Sequence, residues 1–123
     1  MKALILDDSR AMRALLSKTM KGMGFEVVEA CNGEAGLKSL QDNGPLDLAL
    51  VDWNMPVMNG YEFVCAVRSN PAFNEMQLMM VTTETEMEQM SKALTAGANE
   101  YVMKPFTTDV IADKLRILGV LSD

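Results

Sequence analysis

The sequence predicts an α/β fold in which one doubly wound, parallel five-stranded sheet carries helices on both faces. Three observations point there. Five short apolar runs alternate with five longer helix-like stretches, and no repeat or low-complexity segment interrupts the alternation. Three of the runs are almost continuously apolar, as in parallel strands covered on both sides. The length, 123 residues, suits one domain and is too short for two that each bury a core. Right-handed βαβ crossovers then place the helices on both faces of the sheet.

Each element has its own signal. The first strand, Ala3 to Leu6, leads into a helix over Ser9 to Met23. There Met12, Leu15, Leu16, Thr19, Met20 and Met23 recur at helical spacing, and Gly22 and Gly24 supply the stop. The second strand, Glu26 to Ala30, precedes a helix from Gly33 to Gln41 that Asn43-Gly44-Pro45 ends. The third, Leu46 to Val51, precedes a helix from Gly60 to Ser69 that stops at Asn70-Pro71. After the fourth strand, Gln77 to Thr82, a helix over Thr85 to Ala96 opens with Glu86 and Glu88, which complement the helix dipole, and closes at Gly97. The fifth strand, Glu100 to Met103, feeds a helix over Thr107 to Leu118, with Thr107 or Thr108 as cap and Ile111, Leu115 and Leu118 inward. Met12, Met20, Met23, Met79, Met80, Met90 and Met103 read as core filler, whereas Met87 reads as an adaptable surface contact.

Composition narrows the chemistry. The chain contains no histidine, which removes Ser-His-Asp and Cys-His nucleophiles, His-ligated metals and a phosphohistidine carrier role. With a net charge of −6, non-specific nucleic-acid binding is not expected. The N-terminal apolar run is too short for a signal peptide or a membrane span, so a cytoplasmic protein is expected. Cys31 and Cys65 lack metal or redox-motif spacing and read as buried thiols.

Ligands of such sheets sit at the carboxyl ends of the strands. Here those ends carry Asp7 and Asp8, Asp52, Thr82 and Thr83, and Lys104 with Pro105. Carboxylates packed together repel by roughly 4 kcal/mol per pair at 4 Å in an effective dielectric near 20. A hard divalent cation offsets that, and Mg²⁺ suits a site with few carboxylates and open water positions. Lys104 offers a second positive charge. One oxygen of the cluster is then free to attack phosphorus while Mg²⁺, Lys104 and the Thr82 hydroxyl hold the phosphoryl oxygens, so the implied chemistry is aspartyl phosphorylation.

With those residues in view, the sequence resembles the response-regulator receiver domains, and within them the single-domain, CheY-like kind. The likeness spans essentially the whole chain, read as one receiver domain over 1–123. Its marks are Leu4-Ile5-Leu6-Asp7-Asp8-Ser9, Val51-Asp52-Trp53-Asn54-Met55-Pro56 with Asn59-Gly60, Val81-Thr82, and Tyr101-Val102-Met103-Lys104-Pro105-Phe106. The resemblance implies a flavodoxin-like (βα)5 sheet of order 2-1-3-4-5. It implies Asp52 as phosphoacceptor, with Lys104 and Thr82 as its catalytic partners. Asp7, Asp8, Asp52 and the Asn54 backbone carbonyl would hold Mg²⁺ or Mn²⁺. Lys104-Pro105 would be cis, Thr82 and Tyr101 would form the switch, and Asn54 and Glu84 would tune the lifetime of the phosphoryl group.

The implied function is a phosphoacceptor of a two-component system or phosphorelay, with chemotaxis among the pathways it admits. The phosphoryl donor would be a histidine kinase or phosphotransfer protein. A downstream protein would bind the face made by helix four, strand five and helix five, and the group would be lost by autodephosphorylation. No direct nucleic-acid or membrane partner is expected, and the state expected is a monomer. The basic residues Arg10, Arg13, Lys18 and Lys21 of the first helix offer a face for a kinase's acidic surface or a plain solvated one. The competing reading is a Mg²⁺-dependent phosphohydrolase with an aspartyl-phosphate intermediate. It requires an acid-base group two positions after the nucleophile, where this chain has Asn54.

Overall fold

The computed structural model describes residues 1–122, apart from the side chains of Glu84 and Thr85. Five strands, β1 (Lys2–Leu6), β2 (Glu26–Ala30), β3 (Leu48–Asp52), β4 (Gln77–Thr82) and β5 (Glu100–Met103), pair in parallel in the order β2-β1-β3-β4-β5. Five helices connect or follow them: α1 (Arg10–Gly22), α2 (Gly33–Asn43), α3 (Gly60–Arg68), α4 (Met90–Ala96) and α5 (Thr108–Ile117). Short 3₁₀ segments at Pro71–Phe73 and Glu84–Gln89 complete the path.

The alternation along the central strands divides the interior into two cores. Leu4, Leu6, Ala49, Val51, Leu78 and Met80 pack with Leu40, Phe63, Val64, Val67 and Ala93 under α2, α3 and α4. Ala3, Ile5, Leu48, Leu50, Met79, Val81 and Val102 face the other way, onto Leu16 and Met20 of α1 and Ile111 and Leu115 of α5. No residue of β3 is left exposed, which explains its unbroken apolar run.

Side-chain caps start the helices where expected. The Ser9 hydroxyl accepts from the Met12 amide, Asn32 from Ala35 and Thr107 from Val110. Asn59 and Glu62 form a reciprocal capping box at the start of α3.

Several expectations are corrected. The third strand begins at Leu48, because Asp47 turns outward to accept a hydrogen bond from the Lys2 amide at 2.8 Å. Leu15 is half exposed: it sits about 100° around the helix from Leu16, outside the narrow buried stripe of α1. Met103 is also exposed, at the last position of an edge strand that has a neighbour on one side only. Cys31 lies on the surface and Cys65 is half-buried, so neither is a fully buried thiol. The fourth helix is shorter than its periodicity implied, since residues 84 to 89 form a 3₁₀ segment and α4 proper begins at Met90. Met90 is buried as expected.

Candidate functional site: an acidic cluster at the strand ends

The parallel topology brings all the strand-end polar residues to one edge of the sheet. Asp52 is the last residue of β3 and Thr82 the last of β4; Asp7 and Asp8 directly follow β1, and Lys104 follows β5. One carboxylate oxygen from each of Asp7, Asp8 and Asp52 lies within 4.8 Å of the others. Asp7 and Asp52 are buried while Asp8 is exposed, so the cluster opens toward solvent on the Asp8 side.

Local contacts fix each group. Asp7 Oδ1 accepts from the Ser9 amide at 2.8 Å, and its backbone carbonyl accepts from Arg13 Nη1 at 2.7 Å. Arg13 also pairs with Glu29 at 3.6 Å, so this member of the basic helix face is occupied in bracing α1 against β1 and β2. Lys104 Nζ donates to Asp52 Oδ1 at 3.0 Å and lies 3.5 Å from Asp7 Oδ2. The Lys104-Pro105 peptide is cis, and the Lys104 amide donates to the Thr82 carbonyl.

The loop after Asp52 is held by Gly60, whose amide donates to the Trp53 carbonyl at 2.9 Å. A Cβ on Gly60 would stand 2.3 Å from the Asp52 carbonyl oxygen, so only glycine lets α3 start against this strand end. Within the loop Val57 adopts φ +68°, and the Met58 amide closes a three-residue turn onto the Pro56 carbonyl.

Electrostatics follow from this packing. Burial raises the Asp52 carboxyl from 3.8 to about 6; the Lys104 hydrogen bond opposes that shift, and the negative charges of Asp7 and Asp8 add to it. For Lys104, burial pulls downward most strongly, yet the hydrogen bond and charge of Asp52 and the charge of Asp7 outweigh it and leave the ammonium above its ordinary value. Among the described residues Lys104 is the cation paired with Asp7 and Asp52, and with Asp8 beside them the cluster is left net negative. Asp7 Oδ2 is buried and accepts no hydrogen bond among the described residues. A buried carboxylate oxygen met by Lys104 Nζ at the long distance of 3.5 Å and grouped with two further carboxylates belongs to the donor set a hard divalent cation takes.

Of the remaining residues assigned from sequence, Thr82 and Asn54 lie at this edge, whereas Tyr101 lies two positions back along β5 from the Thr82 partner Met103. Thr82 is fully buried, its hydroxyl 3.3 Å from the Thr83 carbonyl. Asn54 is exposed overall, but its side-chain amide donates to Glu86 Oε2. Tyr101 is half-buried, with Lys114 Nζ 5.0 Å from its ring centroid. The Glu84 side chain lies outside the described residues. Glu86, read from sequence only as complementing the helix dipole, is 7% exposed and folded into the site. Its Oε1 accepts from the Thr83 amide at 2.9 Å and the Thr83 hydroxyl at 3.0 Å. The only sequence signal was Thr83 followed three residues later by a glutamate, the spacing of a capping box.

Comparison with known proteins agrees with this geometry. Residues 3–116 match the family model described as response regulator receiver domain. The chain is 40% identical over 119 residues to the chemotaxis protein CheY1 of Helicobacter pylori, covering 96% of each chain. It is 38% identical over 116 residues to the chemotaxis protein CheY of Pseudomonas aeruginosa, covering 94% of this chain and 93% of that one. The solved structure of the chemotaxis response regulator CheY4 of Vibrio cholerae superposes with a TM-score of 0.87 at 35% identity, covering 95% of this chain and 97% of that chain. A match of that extent, joined to the strand order and the clustered aspartates, shows that the chain belongs to the response regulator receiver domain family.

Proposed function

We propose that Asp52 is the phosphoacceptor of a two-component or phosphorelay switch. The observation that carries this reading is the Asp52 carboxylate itself: buried at the end of β3, 3.0 Å from Lys104, and grouped with Asp7 and Asp8. An Asp52 oxygen attacks the phosphorus of a phosphohistidine on a histidine kinase or phosphotransfer protein. The P–N bond breaks and the imidazole leaves with the electron pair. Lys104 stabilises the charge on the phosphoryl oxygens, and the Thr82 hydroxyl donates to one of them. Water later attacks phosphorus, the P–O bond to Asp52 breaks, and inorganic phosphate departs.

Asp7, Asp8, Asp52 and the Asn54 carbonyl are the residues that would hold Mg²⁺ or Mn²⁺. When bound, the ion supplies charge neutralisation for the clustered carboxylates and the incoming phosphoryl group. Thr82 and Tyr101 form the switch: drawing the hydroxyl toward the phosphoryl group changes the packing of the aromatic and remodels the surface of α4, β5 and α5 for a protein target. The resemblance gives Asn54 and Glu84 the part of setting how long the group persists. Chemistry of this kind is autocatalytic and stoichiometric in each chain, without a turned-over substrate. The names of the Helicobacter and Pseudomonas relatives support chemotaxis as the pathway. We read the protein as a cytoplasmic monomer, and no helix among the described residues is long and apolar enough to cross a membrane.

Trp53 adjoins the acceptor and is the only tryptophan, so it reports on the site. Its fluorescence is expected to respond to Mg²⁺ and again to acetyl phosphate, with a mass gain of one phosphoryl group that Asp52→Asn abolishes. Unchanged fluorescence and mass would overturn the reading. Steady turnover of a phosphate monoester would favour the phosphohydrolase instead.

A further inference from the structure

The buried carboxylate of Glu86 has no part in the chemistry just described, yet it joins three groups around the site. Its Oε2 accepts from the Asn54 side-chain amide, in the loop after β3. Its Oε1 accepts from the amide and hydroxyl of Thr83 and makes a longer contact, 3.4 Å, with the Thr82 hydroxyl. Among the described residues Glu86 is the one buried glutamate. It lies in the 3₁₀ segment that leads into α4, so these bonds tether that end of the helix to the strand ends.

The opposite end of α4 is fixed differently. Arg68 of α3 donates from Nε to the Gly97 carbonyl at 2.9 Å, and from Nη2 to the Met76 carbonyl at 2.7 Å and Asn99 Oδ1 at 2.8 Å. None of these contacts involves a group that phosphorylation of Asp52 would alter.

We propose that Glu86 is a resting-state latch, a positioning residue that holds Thr82, Asn54 and the start of α4 in the unphosphorylated arrangement. This rests on Asp52 being the phosphoacceptor. The Thr82 hydroxyl has one proton, shared between the Thr83 carbonyl at 3.3 Å and Glu86 Oε1 at 3.4 Å, and donating it to a phosphoryl oxygen withdraws it from both. An ionised carboxylate only accepts hydrogen bonds, so Glu86 gains nothing from the incoming anion and is repelled by it. Release frees the 3₁₀ segment while Arg68 keeps the far end in place, so the surface change is concentrated at the N-terminal end of α4.

The test uses beryllofluoride with Mg²⁺ as the phosphoryl mimic, read by Trp53 fluorescence and by backbone amide resonances. Glu86→Ala is expected to bind the mimic about fivefold tighter, because the competent state is more populated before binding. Glu86→Gln, which loses the charge and keeps an acceptor, falls between it and the parent. Without the mimic, the resonances of Thr83, Met90 and Tyr101 in Glu86→Ala should lie partway along the line from the parent's resting to its mimic-bound positions. Glu88→Gln, in the same segment but exposed, should match the parent.

Parent-like affinity and resting resonances in both Glu86 variants would overturn the latch, as would an equal gain in Glu88→Gln, which would reduce the effect to general charge. If Glu86→Ala gives no cooperative thermal melt, Glu86→Gln is judged by the same criteria. A parent that answers the mimic while the variants match it removes the latch alone. A parent that does not answer, and gains no phosphoryl mass, removes the phosphoacceptor reading and the latch with it.

Discussion

Asp52 sits where its own charge is disfavoured, and this sets a pH dependence. Its carboxyl is raised from 3.8 to about 6 in the folded protein, so the native state binds the proton more tightly than the unfolded chain does. The stabilisation is full below about pH 4 and is lost as the pH rises through about 6, a change of about 2 to 3 kcal/mol from this one group. Metal-free Asp52→Asn is therefore expected to exceed the parent by about 2 kcal/mol at pH 7.5, in urea unfolding with a chelator present, and to match it near pH 4. Mg²⁺ should narrow the difference by stabilising the parent alone. Lys104→Ala removes the cation paired with Asp52 among the described residues, and phosphoryl uptake from acetyl phosphate should slow about 10²-fold, measured by mass against time. Asp7, Asp8, Asp52, Thr82 and Lys104 were legible through their coincidence at four strand ends of one βα pattern, since each alone reads as an ordinary cap or surface residue. The burial of Glu86 was not, because it depends on a contact with Asn54, 32 positions away.

At the level of elements, the loop between β3 and α3 carries the clearest strain. Val57 occupies the left-handed region, where a β-branched side chain is disfavoured, and it is exposed. Val57→Asn should therefore raise stability by about 1 kcal/mol, seen as a higher urea midpoint at unchanged slope. Gly60→Ala works in the opposite sense: its Cβ would stand 2.3 Å from the Asp52 carbonyl, and moving α3 away should cost about 2 to 3 kcal/mol and weaken Mg²⁺ binding measured through Trp53. The strands were readable from continuous apolar runs, and the helix ends from glycine, proline and capping residues. Two boundaries were not. Leu46 is buried without belonging to β3, and the fourth helix begins as a 3₁₀ turn because its glutamate bonds back to the strand end. Periodicity reports burial, and it cannot distinguish a regular helix from a turn held by a distant partner.

Across the whole molecule, Arg68 joins more of the chain than any sequence motif suggested. Its guanidinium, held below its ordinary value by burial, donates to the carbonyls of Phe73, Asn74, Met76 and Gly97 and to Asn99 Oδ1, tying α3 to the segments before β4 and β5. Arg68→Ala should cost about 2 to 4 kcal/mol by urea unfolding, and Arg68→Lys should not restore it, because an ammonium cannot span this fork of acceptors. The parallel sheet has a further consequence, which concerns time. Asp7 leaves the ribosome with the first strand, but Lys104 follows the last, and the two meet only after β5 has docked beside β4. Until then Lys104 is missing from the edge where Asp7, Asp8 and Asp52 gather in the complete fold. A chain whose β5 has not docked lacks Lys104 beside Asp52, so it should take up phosphate no faster than Lys104→Ala. Competence to receive a signal certifies that synthesis and folding have run to the end of the sheet.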